Sequence, residues 1–145
     1  MTRLVGVAYI FVSVVNMKLV IVESPAKCIT IKRYLGDNYI VKASLGHIRD
    51  LATSGKDGLG VDVNNDFSPT YIVNKDKQHI VKDLKKTVQQ CDEVILATDP
   101  DREGEAIAWH LAQVLDLDVD TTKRLEFHEI TRESINEAMG SPRTI

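Results

Sequence analysis

The stretch Val94 to His110, VILATDPDREGEAIAWH, decides the fold. Its first four residues, Val94-Ile95-Leu96-Ala97, form a short apolar run with sharp bounds, the pattern of a strand buried in a parallel sheet. Asp99, Asp101 and Glu103 follow at alternate positions. In an extended turn the first two point the same way, and Glu103 falls on the opening turn of the next segment. That segment is helical, because Ala106, Ile107, Leu111, Val114 and Leu115 recur at three- and four-residue spacing. A strand whose carboxyl end delivers acids beside a helix N-terminus marks the crevice where open α/β sheets bind ligands. Three like charges so close repel unless a cation neutralises them, and an all-oxygen set suits Mg²⁺, with Mn²⁺ an alternative. Acids in a first helical turn also serve as ordinary dipole partners, so each one alone carries little.

A second strand and helix lie upstream. Lys18 to Glu23 is a β-branched run that ends on an acid and passes through Ser24-Pro25 into a helix. Pro25 suits its opening turn, Ile29, Ile31, Tyr34 and Leu35 give it apolar positions, and Gly36 stops it. If the two strands are parallel neighbours, Glu23 shares a sheet edge with Asp99, Asp101 and Glu103, and Lys27 points a cation at the same mouth. Tyr39 to Ala43 is a further strand, Thr53 to Ser68 a polar loop and Thr70 to Val73 a short strand. Val81, Leu84 and Val88 mark an amphipathic helix, Lys123 to Phe127 a last strand, and Thr131 caps a closing helix that includes Ser134 and Ile135.

Composition fits one domain. The chain has 145 residues, 43% hydrophobic and 27% charged, enough apolar material for a core but not for two. A net charge of −3 argues against holding a polyanion by bulk electrostatics. Residues 1–56 hold 8 of the 18 basic and 3 of the 21 acidic side chains, a balance of +5 that leaves −8 for the rest. A basic half could grip phosphates while an acidic half holds a metal. Cys28 and Cys91 are far apart, form no C-x-x-C pair, and read as reduced, buried small hydrophobes of a cytoplasmic protein. Residues 1–16 form an apolar N-terminal extension, Leu4 to Val15 being almost wholly apolar yet too short to span a bilayer as a helix and without a small-x-small cleavage pattern. Met17 then opens MKLVIVE, which reads as a domain start, so the domain is placed at 17–145.

Four motifs in order carry a resemblance: VESPAK at Val22 to Lys27, SLGHIRDL at Ser44 to Leu51, LATDPDREGEAIAWH at Leu96 to His110, and FHEIT at Phe127 to Thr131. Together they resemble the N-terminal Toprim domain of bacterial type IA DNA topoisomerases, from about Met17 to Met139. The resemblance implies an α/β fold, a Rossmann-like, mainly parallel sheet of about four strands with helices on both faces. It also implies chemistry on the DNA backbone: a tyrosine nicks one strand, the other passes, and the nick is resealed, relaxing negative supercoils.

Carried over residue by residue, Glu23 matches the glutamate proposed to move a proton at the 3′ oxygen of the cut, and also counts among the metal ligands. Asp99, Asp101 and Glu103 match the Mg²⁺-holding acids, and Lys27 matches the lysine that meets the scissile phosphate. His47 matches a histidine that contacts DNA, with Arg49 a weaker candidate for the same surface. The implied partners are DNA, as a single-stranded segment of negatively supercoiled duplex, and further domains of the same polypeptide; no membrane is implied. None of Tyr9, Tyr34, Tyr39 or Tyr71 lies in a motif matching the nucleophile, so they read as core or half-buried residues and the chain alone is not expected to cleave DNA. Around Val73-Asn74-Lys75 the sequence departs from the family by lacking a Pro-Gly turn. His79, His110 and His128 read as surface residues and Trp109 as core.

Three other readings remain open on the residues. A haloacid-dehalogenase-type phosphatase also places D-x-D after a strand, but would want Thr or Val where Glu103 stands. Another Toprim enzyme, a primase or small nuclease, would share the acids but not GHIRDL or EAIAWH. A non-catalytic DNA-binding or docking module would use the acids only as helix caps.

Overall fold

Four short strands carry the fold in a computed structural model that describes residues 17–51, 61–62, 68–69 and 71–145. They are β1 (Lys18–Val22), β2 (Tyr39–Ala43), β7 (Glu93–Leu96) and β8 (Lys123–Arg124), ordered β2-β1-β7-β8 with every neighbouring pair parallel. The helices are α1 (Pro25–Leu35), α2 (Gln78–Gln90), α3 (Arg102–Val114) and α4 (Arg132–Gly140). A parallel sheet must be covered on both sides, and its strands are accordingly apolar at successive positions, Leu19 to Val22 being fully buried. Alternation splits them. Leu19, Ile21 and Leu96 pack with Val81 and Leu84 of α2 and Ile107 and Leu111 of α3, whereas Val20, Val22 and Ile95 pack with Ile31 of α1 and Ile135 of α4. The expected α/β sheet with helices on both faces is therefore present.

The strand order explains where a site must form. From β1 the chain crosses through α1 to β2 on one side, then returns past β1 to β7 and continues through α3 to β8 on the other. The order reverses between β1 and β7, and at such a switch point the two following loops diverge and leave a crevice at the strands' carboxyl ends.

Some bounds differ from expectation. The last strand stops at Arg124 instead of Phe127: Leu125 still donates to the Leu96 carbonyl (2.9 Å), but Arg124 exchanges backbone hydrogen bonds with Arg143, drawing the chain off the sheet. Within the segment read as a polar loop, β4 (Val61–Asp62) pairs antiparallel with β5 (Ser68–Pro69); the rest of it, like residues 1–16, lies outside the described residues. β3 (Arg49–Leu51) pairs antiparallel with β6 (Tyr71–Val73) in a separate small ribbon. Cys28 and Cys91 are half-buried instead of fully enclosed, with burial pushing both thiols up. Among the described residues no helix is long and apolar enough to cross a membrane.

Candidate functional site

Glu23 leaves the carboxyl end of β1 and meets the chain leaving β7: its Oε2 accepts from the Asp99 backbone N–H at 2.8 Å. Register makes this meeting unavoidable, because Ile21 pairs with Leu96 and the ladder continues through the Ala97 N–H to the Ile21 carbonyl (2.8 Å). One helical turn on, Lys27 donates from Nζ to both Glu23 Oε1 and Asp99 Oδ1. Ser24 caps α1 by accepting from the Lys27 N–H, which fixes the root of that side chain. An ammonium thus sits between two carboxylates at the switch point.

The two acids titrate as one unit. Burial, then the hydrogen bond with Asp99, pushes the Glu23 carboxyl above its usual value, whereas that same hydrogen bond, reinforced by Lys27, holds Asp99 below its own. Burial alone would depress Lys27, but its hydrogen bonds to Asp99 and Glu23 outweigh that and keep the ammonium charged.

Asp101 and Glu103 are held differently. Asp101 is the N-cap of α3, its Oδ1 accepting from the Gly104 N–H at 2.7 Å. Glu103, 69% exposed, projects outward, with His47 Nε2 at 3.5 Å from its Oε1. Among the described residues no three or more acids, histidines or cysteines are gathered closely enough to enclose an ion as they stand. Of the four acids, Glu23 and Asp99 meet through the Asp99 N–H and their shared lysine, while Asp101 and Glu103 flank them along the same turn. The donor set still fits a hard cation: every candidate donor is oxygen, and the gap between Glu23 and Asp99 already holds a positive group, the Lys27 ammonium. A cavity of about 490 Å³ adjoins it, lined by Lys27, Asp99, Pro100 and Asp101 on one side and Phe127 to Ile130 on the other.

The turn's shape depends on two residues the sequence reading passed over. Gly104 lies flush on the turn, so that a Cβ there would stand 1.9 Å from the Asp99 carbonyl oxygen. Arg124, fully buried, reaches behind the turn and donates from Nη2 to the Asp99 carbonyl (2.8 Å) and Glu105 Oε1 (3.2 Å), and from Nη1 to the carbonyls of Leu125 (2.6 Å) and Leu96 (3.4 Å). A glycine in the first turn of a helix and an arginine at an apolar strand end were the available signals. The FHEIT segment, read only as a motif, supplies the cavity's far wall.

His47 follows Gly46, whose φ of 83° only glycine adopts without strain, in a turn that folds over Glu23 through the Gly46 N–H to the Glu23 carbonyl (3.2 Å). Arg49 is directed elsewhere, to His110 and Gln113 of α3, with its guanidinium 4.7 Å from the Tyr71 ring centre and 5.4 Å from that of Trp109. Two expectations are corrected here. His110 is half-buried and hydrogen-bonded instead of a free surface residue, and Trp109, expected in the core, is 36% exposed, because it lies on the face of α3 turned from the sheet. Tyr34, Tyr39 and Tyr71 are half-buried as expected, and none lines the acid cavity; Tyr9 lies outside the described residues.

The parallel sheet, the switch-point acids and the lysine between them define a class, and the family model for the Toprim domain matches residues 18–130: the chain belongs to that family. Its similarity extends to particular enzymes. It is 52% identical over 138 residues to DNA topoisomerase 1 of Streptomyces coelicolor, covering 88% of this chain and 14% of that protein. It is 53% identical over 139 residues to DNA topoisomerase 1 of Synechococcus elongatus, covering 88% of this chain and 16% of that one. Full-length topoisomerase I from Thermotoga maritima superposes with a TM-score of 0.78 at 46% identity, over 88% of this chain and 21% of that chain. The chain thus spans well under a quarter of the length of these relatives.

Proposed function

We propose that the chain is the Toprim portion of a type IA DNA topoisomerase, an isomerase that cuts one DNA strand, passes the other and reseals the cut to relax negative supercoils. The observation that carries this is the meeting of Glu23, Lys27 and Asp99 at the switch point. Glu23 is the catalytic carboxyl: with its pKa raised by burial and by its bond to Asp99, it can hold a proton for the 3′ oxygen leaving at the cut and take it back on resealing. Lys27, kept charged by its two acids, turns to the scissile phosphate and offsets charge that builds there.

Asp99, Asp101 and Glu103, with Glu23 beside them, are the Mg²⁺ ligands. When bound, that ion, or Mn²⁺ in its place, supplies positive charge that aligns the broken ends. His47 lies at the rim beside Glu103 and contacts the DNA, a single-stranded segment opened by negative supercoiling; Arg49 belongs to the same edge. The nucleophilic tyrosine comes from another domain of the same polypeptide, in the cytoplasm, so the isolated chain binds metal without cleaving DNA.

Isothermal titration of the chain with Mg²⁺ tests this. Asp101→Asn keeps an N-cap oxygen while removing the charge, so it should fold as the parent does. Metal affinity should nevertheless fall by about tenfold or more, since even partners outside the ligand sphere are worth that much. Asp99→Asn should behave alike. A parent chain with no Mg²⁺ heat at millimolar ion, or Asp101→Asn binding as tightly as the parent, would overturn the assignment.

A further inference from the structure

We propose that Arg49 is a positioning residue: by donating to His110 and Gln113 it sets the register in which Gly46 to Leu51 lies along α3, and so holds His47 against Glu103. The inference rests on the reading of Glu103 as a metal ligand and His47 as a DNA contact. Glu103 and His110 are seven residues apart, two turns on one face of α3, and His47 and Arg49 are two apart, on one side of an extended chain. The two pairs meet face to face, His47 Nε2 at 3.5 Å from Glu103 and Arg49 Nε at 2.6 Å from His110 Nδ1.

The outer pair cannot hold this register by itself. His47 and Glu103 are 42% and 69% exposed in their side chains, and an exposed pair contributes little. Ile48, between the two contacts, is buried in the core and opposes a slip of one residue, and backbone bonds from the Gly46 N–H to the Glu23 carbonyl (3.2 Å) and from the Asn74 N–H to the Ile48 carbonyl (2.9 Å) tether the segment to its other neighbours, but none of these is a directional contact with a side chain of α3. Arg49 makes such a contact, because its guanidinium engages an imidazole and an amide one turn apart while its plane packs on Tyr71 and Trp109. A slip of one residue would turn both His47 and Arg49 away from α3.

The chemistry of the contact specifies its protonation. Arginine has no acceptor, so His110 Nδ1 must accept, and the ring is the neutral tautomer with its proton on Nε2. Burial, then the Arg49 and His47 charges, disfavours the imidazolium, with Asp50 opposing; these and the Tyr71 ring are the charged or titratable groups facing it among the described residues. Protonation puts a hydrogen on Nδ1 and ejects Arg49, so the register is held at neutral pH and released in acid.

Trp109 is the chain's one tryptophan and stands beside the contact, so its emission reports it. The test follows Trp109 emission and the histidine ¹⁵N spectrum of the chain against pH in the parent, Arg49→Gln and His110→Asn, the last keeping an acceptor oxygen near Nδ1 without titrating. The parent should show an unprotonated His110 Nδ1 at pH 7 and an emission change in acid, lost in His110→Asn. His47 resonances at pH 7 should move in Arg49→Gln and match the parent in His110→Asn, and Mg²⁺ affinity should fall about threefold in Arg49→Gln only, less than for a direct outer-shell partner. A purely structural Arg49 would lower the melting temperature in Arg49→Gln yet leave His47 and Mg²⁺ unchanged; that result, or a His110 protonated on Nδ1 at pH 7, overturns the proposal. Should Arg49→Gln not fold, the parent's tautomer and the His110→Asn titration decide. Absence of Mg²⁺ binding in the parent would instead remove the metal reading, with the register still decided by the histidine spectrum.

Discussion

Glu23 and Glu93 stand at opposite rims of the same parallel sheet and both meet lysines, yet their carboxyls are driven in opposite directions. Glu93, at the amino end of β7, accepts from Lys123 Nζ at 2.8 Å with Lys18 Nζ at 3.5 Å, and the Lys123 hydrogen bond outweighs burial to hold it below the usual carboxylate range. Glu23, at the carboxyl end of β1, shares its single lysine with Asp99, and burial wins. The charge count differs accordingly: one acid facing two ammoniums at the lower rim, two acids around one at the upper. A stability-minded arrangement would not leave an excess negative charge in a half-buried crevice. The upper rim, where the strand order reverses, carries one acid more than its shared lysine pairs with, and the metal reading proposed above rests on that imbalance.

The sharpest way to break the upper rim is from behind. Gly104→Ala places a Cβ 1.9 Å from the Asp99 carbonyl oxygen and 2.7 Å from its carbonyl carbon, both backbone atoms that cannot rotate aside. The turn or the helix start must move, and urea unfolding should show a loss of about 3 kcal/mol, the upper part of the range for forced overpacking. Mg²⁺ binding should be lost with it. Arg124→Met should rank next. It removes a buried cation whose hydrogen bonds hold the carbonyls of Leu96, Asp99 and Leu125, while Glu105 keeps a second partner in Arg143. A loss of about 2–3 kcal/mol is expected, because the orphaned carbonyls outweigh the apolar gain. Neither change touches Glu93, so a variant that altered the lower rim's titration equally would sink the claim that the two rims are independent.

These two residues also mark the limit of what the sequence made legible. The central strands, the helix periods, the cap at Thr131 and the approach of Glu23 to Asp99 are local pattern plus one topological rule, and they are present, whereas the last strand is shorter than read and the caps at Ser24 and Asp101 emerge only in the structure. Gly104 lies in a helix, where its lack of a Cβ has no local reason; only the chain folding back from Asp99 supplies one. Beyond its place at an apolar strand end, nothing in the sequence singles out Arg124, because its partners are mainly main-chain carbonyls, which leave no trace there. Trp109 and His110 differ from expectation for a related reason: they meet Tyr71 of β6 and Arg49 of β3, a ribbon distant in sequence from α3. Lys27 seated between the acids was likewise not evident, since spacing says which mouth it faces but not what it touches.

The smallest expected effects sharpen the comparison most, because they differ in sign. The folded pKa of Glu93 is depressed, so its ionised form stabilises the fold above the carboxyl's unfolded value, and that contribution is lost as pH falls through the depressed folded value. Glu93→Gln should therefore destabilise at pH 7 by about 0.5–1 kcal/mol, in keeping with a partly exposed pair, and match the parent in strong acid. The folded pKa of Glu23 is raised, so the fold prefers its protonated form, and ionisation costs stability as pH climbs past the unfolded value towards the raised folded one. Glu23→Gln resembles that protonated form in carrying no charge: its oxygen accepts from the Asp99 N–H and its amide takes the place of Oε1 facing Asp99, so that Lys27 gives up one acceptor and keeps Asp99 alone. It should raise the melting temperature at pH 7, by a degree or two, with the gain shrinking as pH falls and the parent's own Glu23 protonates. Thermal melts of both variants from pH 3 to 8 read the two signs directly. If both glutamines destabilised at pH 7 and converged with the parent in acid, Glu23 would be an ordinary structural ion pair, and the upper rim would differ from the lower only in position.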